Sequence, residues 1–398
     1  MQRARPHDRP LISGSPGDLL RLIRAGEVES RADIARVTGL APSTVSLRVD
    51  ALMGLGLIRE DGEVGSRGGR RSRRISLDPG AGVVGAVDLG AHHARIAISD
   101  MTGSVLASTD ALEAITAAAQ PAEVVEVIWS QLHTLLKTVH DQKHDDPECV
   151  AISVPAPVAY PSGRLQSPSF RPDWHDVDLP QLFAQHTKAP VLVENDGNLI
   201  ALAEHHRNPT ISDLISVKVG SRIGAGIVID GKLYRGGSGA AGEFSHSSVD
   251  GTSVVGCACG VPNCLESVAS GRAMATRLAA QGQKIPSTPD LLAAIARGDV
   301  EVVAILRECG AQIGRALASI VNFVNPQMVV IAGSLGSAPQ LVAAIRSELY
   351  GRCLPFVAET LEVRASGLGP DAAVLGATQL ALDELLCPAR VDARVQAS

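Results

Sequence analysis

Twenty-five residues, Gly242 to Glu266, restrict this chain more than any other stretch. They read Gly242-Glu243-Phe244-Ser245-His246, then ten residues, then Cys257-Ala258-Cys259-Gly260-Val261-Pro262-Asn263-Cys264-Leu265-Glu266. One histidine and three closely spaced cysteines make a four-ligand set, the number that a closed tetrahedral zinc site takes. A segment that gathers those four side chains must fold as a tight knuckle. Glu243 and Glu266 flank the set and could face a polyhydroxyl ligand.

The chain has 398 residues, long enough for two or three domains with proper cores. No run of eighteen apolar residues occurs, so no membrane span is expected. Met1 to Pro10 is basic with no apolar core behind it, so no secretory signal is expected either. Beyond the clustered cysteines, Cys149, Cys309, Cys353 and Cys387 are scattered, which is a cytoplasmic pattern of reduced thiols with one metal site. Charge is uneven. Residues 1–80 hold 14 arginines, no lysine and 10 acids, a balance of +4 within a chain of net −6. A basic head on an acidic body points to a polyanionic partner for the head.

The head carries the pattern of a winged helix-turn-helix. Residues 17–24 are amphipathic and end at Gly26; Ser30 and Asp33 form a capping-box-like start for a second helix, which stops at Thr38-Gly39. Pro42 suits the first position of a third helix, on which Val45, Val49 and Leu52 fall at i, i+4 and i+7. A strand and turn over residues 57–64 lead to Ser66–Arg74, where five of nine residues are arginine and none is acidic. Such a loop can lie against phosphates or enter a narrow minor groove, and Ile75-Ser76-Leu77 would return as the second wing strand. Ser43, Thr44, Ser46 and Arg48 are the candidates for base or phosphate contacts from the helix, and Arg67, Arg70 and Arg71 for wing contacts. The other reading is a small helical module that binds protein, with the arginines in a solvated linker.

From Gly82 onward, strands and helices alternate. Val83–Gly90 is an apolar strand ending in Asp88 and Gly90; residues 121–138 read as a helix; Cys149–Val158 is a buried strand; Val191–Val193 leads into Glu194-Asn195-Asp196 and a helix. A second copy of the theme starts at Leu214 and passes through Gly220-Ser221-Arg222-Ile223-Gly224-Ala225-Gly226. Two strand-rich openings with glycine-rich bends predict two similar lobes, with a ligand in the cleft between them. Asn195-Asp196 also suits a plain strand-end turn in which Asn195 caps the next helix. A long helix is expected around Val300–Val324, a buried strand with a glycine bend over Met328–Gly336 and a C-terminal helix over 370–386.

Asp88-Leu89-Gly90, Glu194-Asn195-Asp196, Gly220 to Gly226, Gly242 to His246 and the Cys257–Glu266 stretch together resemble the ROK family, which holds bacterial sugar kinases and winged-helix sugar-responsive repressors. The resemblance covers roughly residues 16–385, with Asn263 standing where the family signature usually has glycine. It implies an α/β fold, an actin-like, ribonuclease H-like two-lobed sugar-kinase-type body behind the winged head. It also implies structural zinc on His246, Cys257, Cys259 and Cys264, and sugar hydroxyls held by Asn195, Asp196, Glu243, His246 and Glu266. Ser169 follows Pro168 where kinase members usually have asparagine, so it joins the candidate ligand contacts.

Sugar kinases of this family need a base and a phosphate cradle. Asp196 could be the base. The cradle loops depart from the kinase pattern: Ala91 and His92 stand where Gly-Thr is usual, and Arg222 crowds the second glycine loop. Phosphoryl transfer depends on positioning, so these changes point to a binding protein rather than an enzyme. The expected function is a sugar-responsive transcriptional regulator, a repressor of carbohydrate genes. It would bind a palindromic duplex operator as a homodimer or a dimer of dimers. The alternatives are an ATP-dependent sugar kinase or a bifunctional kinase-regulator. The expected organisation is a flexible N-terminus (1–15), the winged head (16–79), a first lobe (80–196 plus 371–386), a second lobe (197–370) and a disordered tail (387–398).

Overall fold

The structure, a computed structural model, describes residues 14–64, 72–90, 94–117, 120–139, 145–166, 172–283, 285 and 287–398. The head consists of α1 (Pro16–Arg24), α2 (Arg31–Thr38), α3 (Pro42–Gly54) and an antiparallel pair, β1 (Ile58–Val64) and β2 (Ser72–Leu77). Ser30 caps α2 by accepting from the Asp33 N–H, and its own hydroxyl donates to Asp33 Oδ2 at 2.8 Å. Gly39 closes α2 at φ 73°, and Pro42 opens α3 with its missing N–H at a position that needs no donor. The expected stripe of Val45, Val49 and Leu52 is fully buried against α1 and Ile34. Arg31 ties α2 to Asp50 of α3 at 2.7 Å and to Glu60 of the wing at 2.9 Å.

The first lobe runs through β3 (Val83–Leu89), β4 (Ala94–Asp100), β5 (Val105–Asp110), α4 (Leu112–Ala117), α5 (Pro121–Thr138), β6 (Cys149–Val154), a short hairpin of β7 (Val158–Ala159) and β8 (Arg164–Leu165), α6 (Leu179–Phe183), β9 (Val191–Asn195) and α7 (Asp196–Arg207). Its sheet has the order β5-β4-β3-β6-β9, antiparallel up to β3 and parallel beyond. The second lobe holds β10 (Leu214–Val219), β11 (Ile223–Ile229), β12 (Lys232–Leu233), α8 (Leu265–Ala269), α9 (Gly271–Ala280), α10 (Thr288–Ala296), α11 (Val300–Val324), β13 (Met328–Ala332), α12 (Pro339–Arg352), α13 (Pro355–Ala358) and β14 (Glu362–Ala365). Its sheet, β12-β11-β10-β13-β14, repeats the same mixed pattern. Strands β3, β6 and β13 are buried at every position, as parallel strands covered on both faces must be. Among the described residues no helix is long and apolar enough to cross a membrane.

Helix α14 (Ala372–Leu385) returns to the first lobe and packs on β3, β6 and α7. Helix α7 is therefore held between α14 and β11 of the second lobe. Both contacts are backbone against backbone. A Cβ on Gly226 of β11 would meet the Gly197 carbonyl oxygen at 2.3 Å, and one on Gly376 of α14 would meet that of Leu199 at 1.9 Å.

The tail departs from expectation. Residues 387–398 were expected to be disordered, but Pro388–Ala397 form a helix, α15, lying on α1. Val391 is 0% exposed and shares one apolar cluster with Leu19, Leu20, Leu382, Leu385 and Leu386, and the Gly17 N–H donates to Asp392 Oδ1 at 2.8 Å. The segment is too short and polar to be a stable helix alone; α1 supplies the surface that orders it. Head and body thus share a core. Truncation after Leu386 is expected to cost on the order of 2 kcal/mol, because it uncovers that cluster, read as a lowered thermal midpoint and faster proteolysis within α1.

Candidate functional site

The knuckle forms as its sequence demands. His246 closes a 3-10 turn (Phe244–His246), and Asn263 adopts φ 50°, the left-handed conformation for which asparagine is the best non-glycine substitute. The Asn263 side chain accepts from the Ser253 N–H at 3.0 Å and so braces the loop. One donor atom each from His246, Cys257, Cys259 and Cys264 lie within 4.8 Å of one another, and Cys257 Sγ is 3.5 Å from His246 Nδ1. Tetrahedral zinc would set such donors about 3.5 Å apart, so a slight closing of the group suffices. The donor set fits a metal ion of this kind. His246 Nε2 points the other way, 3.5 Å from Glu243 Oε2.

That nitrogen opens onto a pocket of about 320 Å³ between the lobes. Asn195 and Asp196 reach it from the end of β9 and the start of α7, Lys218 and Arg222 from β10 and its turn, Glu243, His246 and Glu266 from the knuckle. Pro155, Ala156 and Pro157 form the opposite wall. Of the expected ligand residues, five converge here. Ser169 lies outside the described residues, as do Ala91 and His92 and the wing's Arg67, Arg70 and Arg71.

The five are not equally available. Asn195 is the N-cap of α7: its Oδ1 accepts from Gly197 and Asn198, and its Nδ2 donates to the Ala156 carbonyl at 3.1 Å. One amide hydrogen remains. Glu266 Oε2 accepts from the Ile223 N–H at 2.8 Å, while its Oε1 is buried with no hydrogen-bond partner among the described residues. A buried carboxylate oxygen left open beside a cavity is a place for a ligand hydroxyl. Burial pushes the Glu243 carboxyl up to about 7, and the charges of Asp196 and Glu266 push it the same way. Burial also raises Glu266 and lowers His246, and Arg222 acts on both, opposing the first shift and adding to the second.

Lys218 is the residue that sequence reading missed. Its ammonium pairs with Asp196 Oδ2 across the cleft. Burial pulls its pKa down, but the charges of Asp196 and Asp88 outweigh that and leave it raised. The signal was present: a lysine inside the apolar run Leu214–Val219. On the head, Ser43 is exposed, Thr44, Ser46 and Arg48 are half-buried, and Arg48 Nη1 is buried beside Gly14 and Leu40.

Two lobes of matched topology, a carboxylate-lined cleft and a His-Cys knuckle at its edge agree with a known family: residues 84–384 match the model described as ROK family. The chain belongs to the ROK family. A xylose repressor of Bacillus spizizenii is 28% identical over 379 residues, 92% of this chain and 94% of its own length. A solved ROK family transcriptional regulator, a homologue of the E. coli MLC protein, superposes with a TM-score of 0.80 at 24% identity and covers 98% of this chain and 99% of its own. The ROK hexokinase from Thermus thermophilus superposes with a TM-score of 0.62 at 26% identity and covers 76% of this chain and 99% of its own. The regulator's fold includes the head; the hexokinase matches a share equal to the body.

The Asp196–Lys218 pair is largely buried, so removing one partner strands the other. Lys218→Met is expected to cost about 3 kcal/mol, and Lys218→Met with Asp196→Asn to recover most of it. Urea unfolding of the single and double variants measures the difference.

Proposed function

We propose that this chain is a sugar-responsive, DNA-binding transcriptional regulator, a repressor of carbohydrate uptake or metabolism genes that works in the cytoplasm. Its head would read a palindromic operator, with the body supplying a homodimer or a dimer of dimers. Zinc on His246, Cys257, Cys259 and Cys264 would be structural, since four protein ligands leave no open position. Its part is to fix the knuckle so that His246 Nε2, Glu243 and Glu266 face the ligand.

The observation that carries this reading is the course of α7. Its first residue, Asp196, lies in the cleft; its last turn reaches Asp383 of α14, which pairs with the head. His206 Nε2 is 3.7 Å from Asp383 Oδ1, and the same oxygen is 2.7 Å from Arg24 Nη1 of α1. Arg24 Nη2 also donates to Gln379 on α14 at 3.0 Å. Glu204, wholly buried on α7, accepts from Ser366 Oγ at 2.5 Å beside β14. Twelve residues of helix, roughly 18 Å, thus touch the ligand cleft, the second lobe and the anchor of the head. A sugar that takes Asp196 hydrogen bonds away from Lys218 changes the balance between two arrangements of α7. It shifts DNA affinity only to the extent that it binds those arrangements unequally.

The kinase reading rests on Asp196 as a base. Its partner Lys218 already occupies one oxygen of the carboxylate and competes with a sugar hydroxyl for it, which favours binding over proton abstraction. Isothermal titration of the zinc-replete chain against a panel of sugars and sugar phosphates, with ATP hydrolysis followed in parallel, tests both readings. Binding that Asp196→Ala and Glu243→Ala abolish, without ATP turnover, is the expected result. Sugar-dependent ATP turnover would put the kinase first, and no binding across the panel would end the sugar-sensing reading.

The relay makes its own prediction. Asp383→Asn is expected to keep sugar affinity while the effect of sugar on operator affinity, about 5–150-fold in coupled systems, drops to about twofold. Gel shifts with and without the bound sugar measure it.

A further inference from the structure

We propose that Leu47 is a base-reading residue and that the base it reads is thymine, through the C5-methyl group. The inference rests on the DNA-binding reading of the head and adds what its recognition helix can recognise.

Among the described residues of the head, Leu47 is the only large apolar side chain left exposed, at 72%. A lone exposed leucine is common and by itself says nothing. Its surroundings give it meaning. The opposite face of α3, Val45, Val49 and Leu52, is wholly buried, so Leu47 points directly away from the head. Its outward neighbours, Ser43, Thr44 and Ser46, are small, and no bulk beside it would keep it from a groove floor.

The charged residues of α3 are Arg48, whose guanidinium is partly buried against the head, and Asp50, which is exposed but paired to Arg31. Arg48 Nη1 is buried beside Gly14 and Leu40. Asp50 is held by Arg31 at 2.7 Å, which also blunts its repulsion of phosphate. The helix has no lysine, asparagine or glutamine. Bidentate reading of guanine by Arg or Lys, and of adenine by Asn or Gln, is therefore not offered by its outward face. What that face does offer is three hydroxyls and one isobutyl group. Hydroxyls accept or donate to several base edges and discriminate little. The apolar feature of the major groove is the thymine methyl, and an exposed leucine is its complement. The energetic gain is the removal of both apolar groups from water.

The test uses the full chain and a duplex obtained by in vitro selection with it. Each thymine is replaced singly by deoxyuridine, which lacks only the methyl, and affinity is measured by fluorescence anisotropy at fixed salt. The expected result is a loss of about fourfold at one or more positions, the worth of one buried methyl. Leu47→Ala should bind thymine and uracil duplexes equally at those positions. Because Leu47 is largely exposed, the thermal midpoint of the variant should match the parent, which separates lost reading from lost folding. If no deoxyuridine weakens the parent, or if Leu47→Ala keeps the same sensitivity, the proposal is overturned while DNA binding stands. If selection yields no duplex at all, the DNA-binding reading fails and takes this one with it.

Discussion

Helix α7 meets β11 and α14 backbone against backbone at two points. The glycines at 226 and 376 let two backbones approach to distances that any Cβ would forbid. Protein interiors absorb small displacements by moving side chains between rotamers, but here there is nothing to move. Whatever shifts the start of α7 must therefore shift β11 or α14 with it. The rest of the site inherits this. Asn195 can cap α7, and Asp196 can face the cleft, because the helix start is fixed; His206 can meet Asp383 because the helix end is fixed too.

The cleft itself is a balance of charges rather than a collection of sugar ligands. Asp196, Glu243 and Glu266 converge from two lobes, and Lys218 and Arg222 lie among them. Burial raises the Glu243 carboxyl, and the neighbouring charges of Asp196 and Glu266 add to that shift. Asp196 in turn is tied to Lys218 in a pair across the cleft.

Much of this was legible because it is local. The capping serine of α2, the proline at the start of α3, the long helix from Val300 to Val324 and the four donors of the knuckle each depend on residues close in sequence. The family resemblance added which acids share the cleft. Three things were out of reach for one physical reason, that they depend on partners far along the chain. Helix α15 is a helix because α1 lies beneath it. Lys218 matters because Asp196, 22 residues earlier, is opposite. The contact of Asp383 with both His206 and Arg24 has no local signal. Asn195 is instructive in another way. Both readings of it, ligand and cap, were chemically sound, and the structure commits most of its hydrogen bonds to the cap.

The clasp of α1 by α14 and α15 has a consequence for how the chain comes into being. Synthesis delivers the head first, yet the apolar face that Leu19 and Leu20 turn toward the body finds its partners in Leu382, Leu385 and Val391. More than three hundred residues leave the ribosome before that face can close. The head is thus made before the body but completed after it, and a nascent chain has no fully seated head until α14 and α15 arrive.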